Sequence, residues 1–160
     1  MSKAIIMVGI QGSGKSTVAK QRMSAVILED GRVVYASADD YMIEEDGVYR
    51  FAIPKLGPAH RYCTKKFNQG LIDGAELVIC DNTNCTVEEI APYIAMARAW
   101  DYEVEIIRVH CDPEIAAERN THGVPRKGVL AKHRQFERRM LPGHIEFDPM
   151  VTVTEVKNDA

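Results

Sequence analysis

Gly9-Ile10-Gln11-Gly12-Ser13-Gly14-Lys15-Ser16, followed by Thr17, is the stretch that decides the fold. Its spacing fits the P-loop pattern, in which glycines let successive backbone N–H groups converge on an anion and a lysine adds a mobile charge. The flanks matter as much as the letters. Ala4-Ile5-Ile6-Met7-Val8 is an apolar run suited to a buried parallel strand, and residues 16–27 read as a helix with Ala19, Met23 and Val26/Ile27 on one face. Strand, glycine turn and helix is the order a phosphate cradle requires, because the helix N-terminus then turns its positive dipole end toward the same anion. Gly12, Ser13, Gly14, Lys15, Ser16 and Thr17 are therefore the expected contacts of a nucleotide's phosphates, with the Ser16 hydroxyl on Mg²⁺.

Outward from this loop, Glu29-Asp30-Gly31 reads as a turn and Val33-Val34-Tyr35-Ala36-Ser37-Ala38 as a second strand ending on Asp39-Asp40. Residues 41–55 read as an irregular excursion with a hairpin tip at Glu45-Asp46-Gly47 and a short alternating run at Val48-Tyr49-Arg50-Phe51. A helix starting near Pro58 would turn Ala59, Cys63, Phe67 and Leu71 to the core, with Arg61, Lys65 and Asn68 on another face. Leu77-Val78-Ile79-Cys80-Asp81 is a third buried strand ending in an acid, in the manner of a Walker B strand, and the polar turn Asn82-Thr83-Asn84 follows it. Thr86-Val87-Glu88-Glu89 fits a capping box for a helix through Trp100, with Pro92 a possible kink, and residues 102–109 form a fourth strand. Asp112-Pro113-Glu114 opens a helix that is interrupted at residues 119–126, and another helix runs from about Pro125 to Met140 with Val129, Phe136 and Met140 on one face. Pro142-Gly143 ends it, and Met150-Val151-Thr152-Val153-Thr154 suits an edge strand or a packed tail. Alternating strands and helices predict a three-layer α/β/α sandwich around a parallel sheet, with ligands at the C-terminal ends of the strands, where the P-loop, Asp39 and Asp81 all fall.

The chain has 160 residues, 46% hydrophobic and 27% charged, which suits one soluble domain over residues 1–160 with a core of its own. No apolar run approaches the ~20 residues of a membrane span, and a cytoplasmic location is expected. Met1-Ser2-Lys3 before an apolar stretch imitates a signal peptide, but cleavage there would destroy the loop, so the stretch reads as the first strand. Cys63, Cys80, Cys85 and Cys111 lack C-x-x-C spacing, which argues against zinc and against a disulfide framework. They read as reduced, packed thiols, with Cys80 and Cys85 flanking the candidate site. The net charge is −3, yet residues 119–139 carry seven basic side chains (Arg119, Arg126, Lys127, Lys132, Arg134, Arg138, Arg139) against the single acid Glu137. That segment either meets anions or is a solvated face balanced by Glu146, Asp148, Glu155 and Asp159.

Gly9 to Thr17, Ser37-Ala38-Asp39-Asp40-Tyr41, Asp81-Asn82-Thr83-Asn84 and Glu118-Arg119-Asn120, in this order, resemble the P-loop kinase branch containing phage and bacterial 5′-polynucleotide kinases. Gly47-Val48-Tyr49-Arg50-Phe51, Ala59-His60 and Arg119-Asn120-Thr121-His122-Gly123-Val124 are also similar to the AAA-type kinase module of NEDD4-binding-protein-like proteins. The resemblance spans residues 3–140. It implies a kinase-type P-loop NTPase fold with a C-terminal helical lid at about residues 119–127 and a tail over residues 142–160. By the same resemblance the substrates are ATP with Mg²⁺ and a hydroxyl acceptor, the 5′-OH of DNA or RNA. Lys15 and Ser16 match the phosphate and magnesium positions, Asp39 the general base, and Arg119 the lid arginine, with Arg126 a second ATP contact. Asp81 and Thr83 match a segment on the acceptor side or one that supports it, with a turn that caps the next helix as the alternative, and Asp40 a cap or partner. His60 and His122 read as packing or hydrogen-bonding residues. Phage polynucleotide kinases carry an arginine after Asp-Asp-Tyr that holds the acceptor's phosphate, whereas here the position is Met42, so either Arg61, Lys65 or Lys66 replaces it or the acceptor carries a different group there. The Asp-x-Asp-x-Thr phosphatase signature is absent. The alternatives are a kinase for a small molecule or a hydroxymethylated base, a toxin-type kinase acting on nucleotide sugars, and a non-catalytic nucleotide-binding module. Oligomeric state and GTP tolerance are left open.

Overall fold

The residues of β1, Lys3–Val8, are apolar on both faces: Ala4, Ile6 and Val8 enter one core, Ile5 and Met7 the other. A strand of this kind must be covered from both sides and belongs at the centre of a parallel sheet. In the computed structural model, which describes residues 2–138, 141 and 143–158, β1 is the middle strand of five. The others are β2 (Val33–Ala36), β3 (Leu77–Asp81), β4 (Glu103–His110) and β5 (Val151–Lys157), in the order β2-β3-β1-β4-β5, all parallel. Expectations placed on Arg139, Met140, Pro142 and Asp159 lie outside the described residues.

Helix α1 (Lys15–Leu28) covers one face, where Ala19 is buried and Met23 and Val26 pack on Ile5, Met7, Ile79 and Ile107. Ile27, expected on that face, is instead 55% exposed. One helical position beyond Val26 is a rotation of about 100°, which carries the side chain off the buried stripe. On the opposite face α2 (Leu56–Ile72) buries Ala59, Cys63, Phe67 and Leu71, and α3 (Val87–Ala99) buries Ile90, Tyr93, Ile94 and Ala97. Phe67 and Tyr93 meet edge to face with centroids 5.0 Å apart. The layers are therefore the expected α/β/α sandwich. Thr86 caps α3 by accepting the Glu89 N–H at 3.3 Å while its hydroxyl donates to Glu89 Oε1 at 2.9 Å, and the helix continues through Pro92.

Smaller differences concern boundaries. β2 stops at Ala36, because Ser37 accepts the Asp39 N–H and starts a 3₁₀ turn over Ala38–Met42. The excursion holds a single antiparallel bridge, Ile43 to Tyr49, around the Gly47 turn. α4 (Pro113–Arg119) starts on the Asp112 cap as expected, α5 (Arg126–Phe136) buries Val129 and Phe136, and a short α6 (Gly143–Glu146) precedes β5. The tail is thus a true edge strand, paired with β4 from Val104–Val151 to His110–Lys157. Buried Glu105 on β4 is held by Arg22 of α1 at 2.8 Å, Lys3 at 3.4 Å and the Thr154 hydroxyl at 2.6 Å, which ties helix, sheet and edge strand together.

The chain leaves β1 for the β2 side and later returns to continue at β4 on the other side. This reversal opens a crevice at the C-terminal strand ends beside β1. Register brings Met7 level with Asp81 and Ala36 level with Cys80, so the P-loop, the Asp39 turn and Asp81 share one rim.

Candidate active site

Gly14 sits before α1 with φ 89° and no side chain caps the helix, so its first N–H groups are left to face an anion. Gly12 has φ 80°, and a Cβ there would lie 2.0 Å from the Ala116 carbonyl oxygen of α4. A Cβ on Gly14 would lie 2.0 Å from Asn158 Nδ2. Glycine is therefore required twice over, by backbone conformation and by close approach. Gly12→Ala is expected to lower stability by about 1–3 kcal/mol more than Gly74→Ala in urea unfolding. Gly74 has a similar φ of 70° but nothing within 4 Å, so the difference isolates the clash with α4. Equal losses would show that the loop yields without cost.

Lys15 Nζ donates to the Ile10 carbonyl at 3.1 Å, folded back over its own loop. Desolvation pulls its pKa below the ordinary lysine range, opposed by the charge of Asp81 and, more weakly, Cys85 and Asp39. Ser16 Oγ donates to Asp81 Oδ2 at 2.9 Å, and the Tyr35 hydroxyl donates to the same oxygen. Burial and the Asp81 charge push the Tyr35 phenol far up, so it stays a neutral donor. Asp81 is 3% exposed and its Oδ1 is buried without a hydrogen bond. A hydroxyl and an orphaned carboxylate oxygen beside a phosphate loop are hard oxygen donors of the kind Mg²⁺ shares with phosphate oxygens, so the residues present fit that ion. Asp81, expected on the acceptor side, thus turns toward the phosphate loop.

The Asp39 turn is held from below by Asn82, whose Oδ1 accepts the Ala38 N–H at 2.9 Å. The Asn82 amide donates to Cys63 Sγ at 3.4 Å and to Cys80 Sγ at 3.5 Å. Hydrogen bonding, first from Cys80, brings the Cys63 thiol down to about 7, while burial pushes Cys80 up. All four cysteines are buried. Asn84, with φ 50°, donates to the Met7 carbonyl at 2.8 Å, and the Gly9 N–H donates to the Thr83 carbonyl at 3.0 Å, which locks the P-loop to the turn after β3. Burial raises the Asp40 carboxyl, with Lys66 opposing. Met42 is 2% exposed and points into the protein, so its position supplies no clamp.

A cleft of about 190 Å³ brings together Gly12, Gly14, Lys15, Ser16, Thr17, Asp39, Asp81, Thr83, Arg119 and His122. Ser13 lies behind it, fully buried. Roomier grooves of 330 and 560 Å³ flank Arg108 near β4, β5 and α5, away from the phosphate loop. Arg119 ends α4 and its Nη1 donates to the Asn158 carbonyl at 3.2 Å, with Cys111 Sγ at 3.9 Å. Asn158, just after β5, also donates from Nδ2 to the Ser13 carbonyl at 2.8 Å. The tail thereby joins Arg119 to the P-loop, a connection local sequence pattern did not reveal. Where the lid was expected, residues 120–125 form a loop between α4 and α5. Arg126 is not among the cleft residues; it pairs with Glu114 on the surface, and Arg61 also lies outside the cleft lining. His60 is exposed, whereas His122 reaches Asp39, with Nδ1 3.5 Å from Oδ2. The clue in the sequence was His122's place three residues after Arg119.

Comparison with known proteins bears on the whole arrangement. The family profile described as AAA domain matches residues 5–140. NEDD4-binding protein 2 of Homo sapiens is 29% identical over 142 residues, covering 84% of this chain and 8% of the human protein. The chain therefore spans a small part of that relative. A chain of the Pnkp1/Rnl/Hen1 complex superposes with a TM-score of 0.59 at 19% identity, covering 74% of this chain and 38% of that one. The Mycobacterium tuberculosis APS kinase CysC, solved with AMPPNP and APS, superposes with a TM-score of 0.58 at 15% identity, covering 96% and 88%. These likenesses establish the P-loop kinase fold. Among the described residues no helix is long and apolar enough to cross a membrane.

Proposed function

Because the chain belongs to the AAA domain family and has a P-loop kinase fold, we propose that it transfers the γ-phosphate of ATP to a hydroxyl, with the 5′-OH of DNA or RNA as acceptor. The observation that carries this reading is the single cleft in which a phosphate loop, a carboxylate on a separate turn and a lid arginine face one another. A module that only binds nucleotide needs neither of the last two.

In this reading the N–H groups of Gly12 to Thr17 and the Lys15 ammonium hold the β- and γ-phosphates, and Ser16 and Asp81 would hold Mg²⁺. Held there, such an ion would supply positive charge against the charge that develops on the phosphates. Asp39 accepts the acceptor hydroxyl's proton as its oxygen bonds to the γ-phosphorus, and the β–γ bridging oxygen leaves with the bond's electrons as part of ADP. Arg119 offers a planar fork to the oxygens that gain charge during transfer.

A polynucleotide acceptor is supported by the surface beside the Asp39 turn. Tyr41 and Tyr62 are both exposed, with rings 5.8 Å apart, and α2 carries Arg61, Lys65 and Lys66 with no acid. Aromatic faces stack unpaired bases and such cations meet phosphates. Thr83 lines the cleft between that surface and the P-loop. A small-molecule acceptor is the second reading, favoured by the burial of Met42 and by a cleft of only about 190 Å³.

The test is transfer of labelled γ-phosphate from ATP with Mg²⁺ to 5′-OH single-stranded DNA and RNA, with Lys15→Ala as control. Label on the oligonucleotide, abolished by Lys15→Ala, is the expected result. Product without oligonucleotide label would move the acceptor to a small molecule. ATP binding without transfer or phosphate release would leave a binding module.

A further inference from the structure

We propose that His122 is a positioning residue that orients the Asp39 carboxylate when the lid lies over the cleft, an inference that rests on Asp39 being the base. Two side chains from different segments flank that carboxylate, one donating to it and one approaching it. His122 Nδ1 lies 3.5 Å from Oδ2, and the Tyr49 hydroxyl donates to Oδ1 at 3.4 Å. The two side chains also brace each other, because their rings stack with centroids 4.4 Å apart and planes 17° apart. Burial and the neighbouring Asp39 charge push the Tyr49 phenol up to about 12, so it remains a donor.

Each partner is presented by a short, internally bonded loop. On the lid, Asn120 Oδ1 accepts the His122 N–H at 3.0 Å and Asn120 Nδ2 donates to the Val124 carbonyl at 2.6 Å, with Gly123 at φ 70° making the bend. On the other side, Tyr49 is bridged to Ile43, and the Arg50 N–H donates to the Met42 carbonyl at 2.9 Å. The pair therefore crosses from the lid to the excursion over the Asp39 turn.

The Tyr49 bond is long and the His122 ring stands just short of donating, as is common before substrate tightens a site. Once His122 donates to Oδ2, the carboxylate has one donor on each oxygen, cannot rotate freely, and aims its remaining lone pairs in a fixed direction. His122 and Arg119 belong to one lid segment, three residues apart. The segment that carries the arginine therefore also carries the residue that orients the base.

Donation and stacking are separable by substitution. Asn at position 122 puts an amide N–H near the Nδ1 site without a ring, whereas Phe keeps the ring without the donor. With a 5′-OH oligonucleotide as acceptor, His122→Ala and His122→Phe are expected to lower kcat about tenfold or more with ATP affinity unchanged, and His122→Asn to stay within about threefold of wild type. Rescue by Phe but not Asn, or no loss in Ala, would overturn the proposal. A second readout does not need turnover: ¹⁵N NMR of the neutral ring should show the His122 Nδ1–H tautomer, lost in Asp39→Ala. An Nε2–H tautomer in the wild type would refute the contact even if Asp39 proves essential. The Nδ1–H tautomer together with full turnover in Asp39→Asn would instead refute Asp39 as base, and with it the catalytic use of the contact.

Discussion

Asp39→Asn is expected to lower the rate of phosphate transfer by about two to four orders of magnitude while ATP still binds. The substitution preserves shape. The backbone that holds the turn, through Ser37 Oγ and the Asn82 side chain, does not involve the Asp39 carboxylate. What disappears is the capacity to accept a proton from the incoming hydroxyl, which matters only after the nucleotide is in place. Rapid-quench single-turnover assays with labelled ATP would measure the loss, and equilibrium binding of a fluorescent ATP analogue would check the nucleotide site. Turnover within threefold of wild type would show that transfer proceeds without this base.

The loss of Arg119 should be larger still. Arginines that meet the transferring phosphoryl group contribute about 10³ to 10⁵ in kcat, so Arg119→Ala is expected to lower kcat at least about a thousandfold. Arg119→Lys should recover only part of it, since an ammonium keeps the charge but not the planar fork. Part of the effect has a structural origin that can be measured separately. Arg119 donates to the carbonyl of Asn158, whose amide in turn donates to Ser13 of the P-loop. Asn158→Ala removes the second link and leaves the guanidinium in place. It should weaken ATP binding more than it slows transfer, whereas Arg119→Ala should do the reverse. The same pattern in both variants would mean that Arg119 acts only by bracing the loop.

Local pattern was enough to recognise the cradle, the buried strands and the helix stripes. Glycine spacing, apolar runs and the 3.6-residue period are properties of neighbouring residues, and neighbouring residues are what a sequence displays. The expected burial of Ala59, Cys63, Phe67 and Leu71 and the caps at Thr86 and Asp112 follow from the same local rules. Ile27 obeys the same rule, since one position past Val26 the helix turns the side chain off the buried stripe.

The site is where long-range geometry took over. Asp81 was legible as an acid at a strand end, but its bond to Ser16 spans 65 positions and depends on β1 and β3 pairing in register. Met42 stands where the resemblance to phage polynucleotide kinases implied an arginine, and only packing reveals that it points inward. His122 stood out in the sequence as a lone histidine with no assigned partner; the partner lies 83 positions away on another rim segment. The role of the tail was hidden for the same reason, since Asn158 meets Ser13 only because β5 runs parallel to β4 along its whole length. The sequence by itself determined the phosphate loop, the layered α/β class and the candidate residues Lys15, Ser16, Asp39 and Arg119, because each is written in short-range order. Tertiary structure alone decided which side chains face them, because those pairings are set by sheet order and register rather than by adjacency.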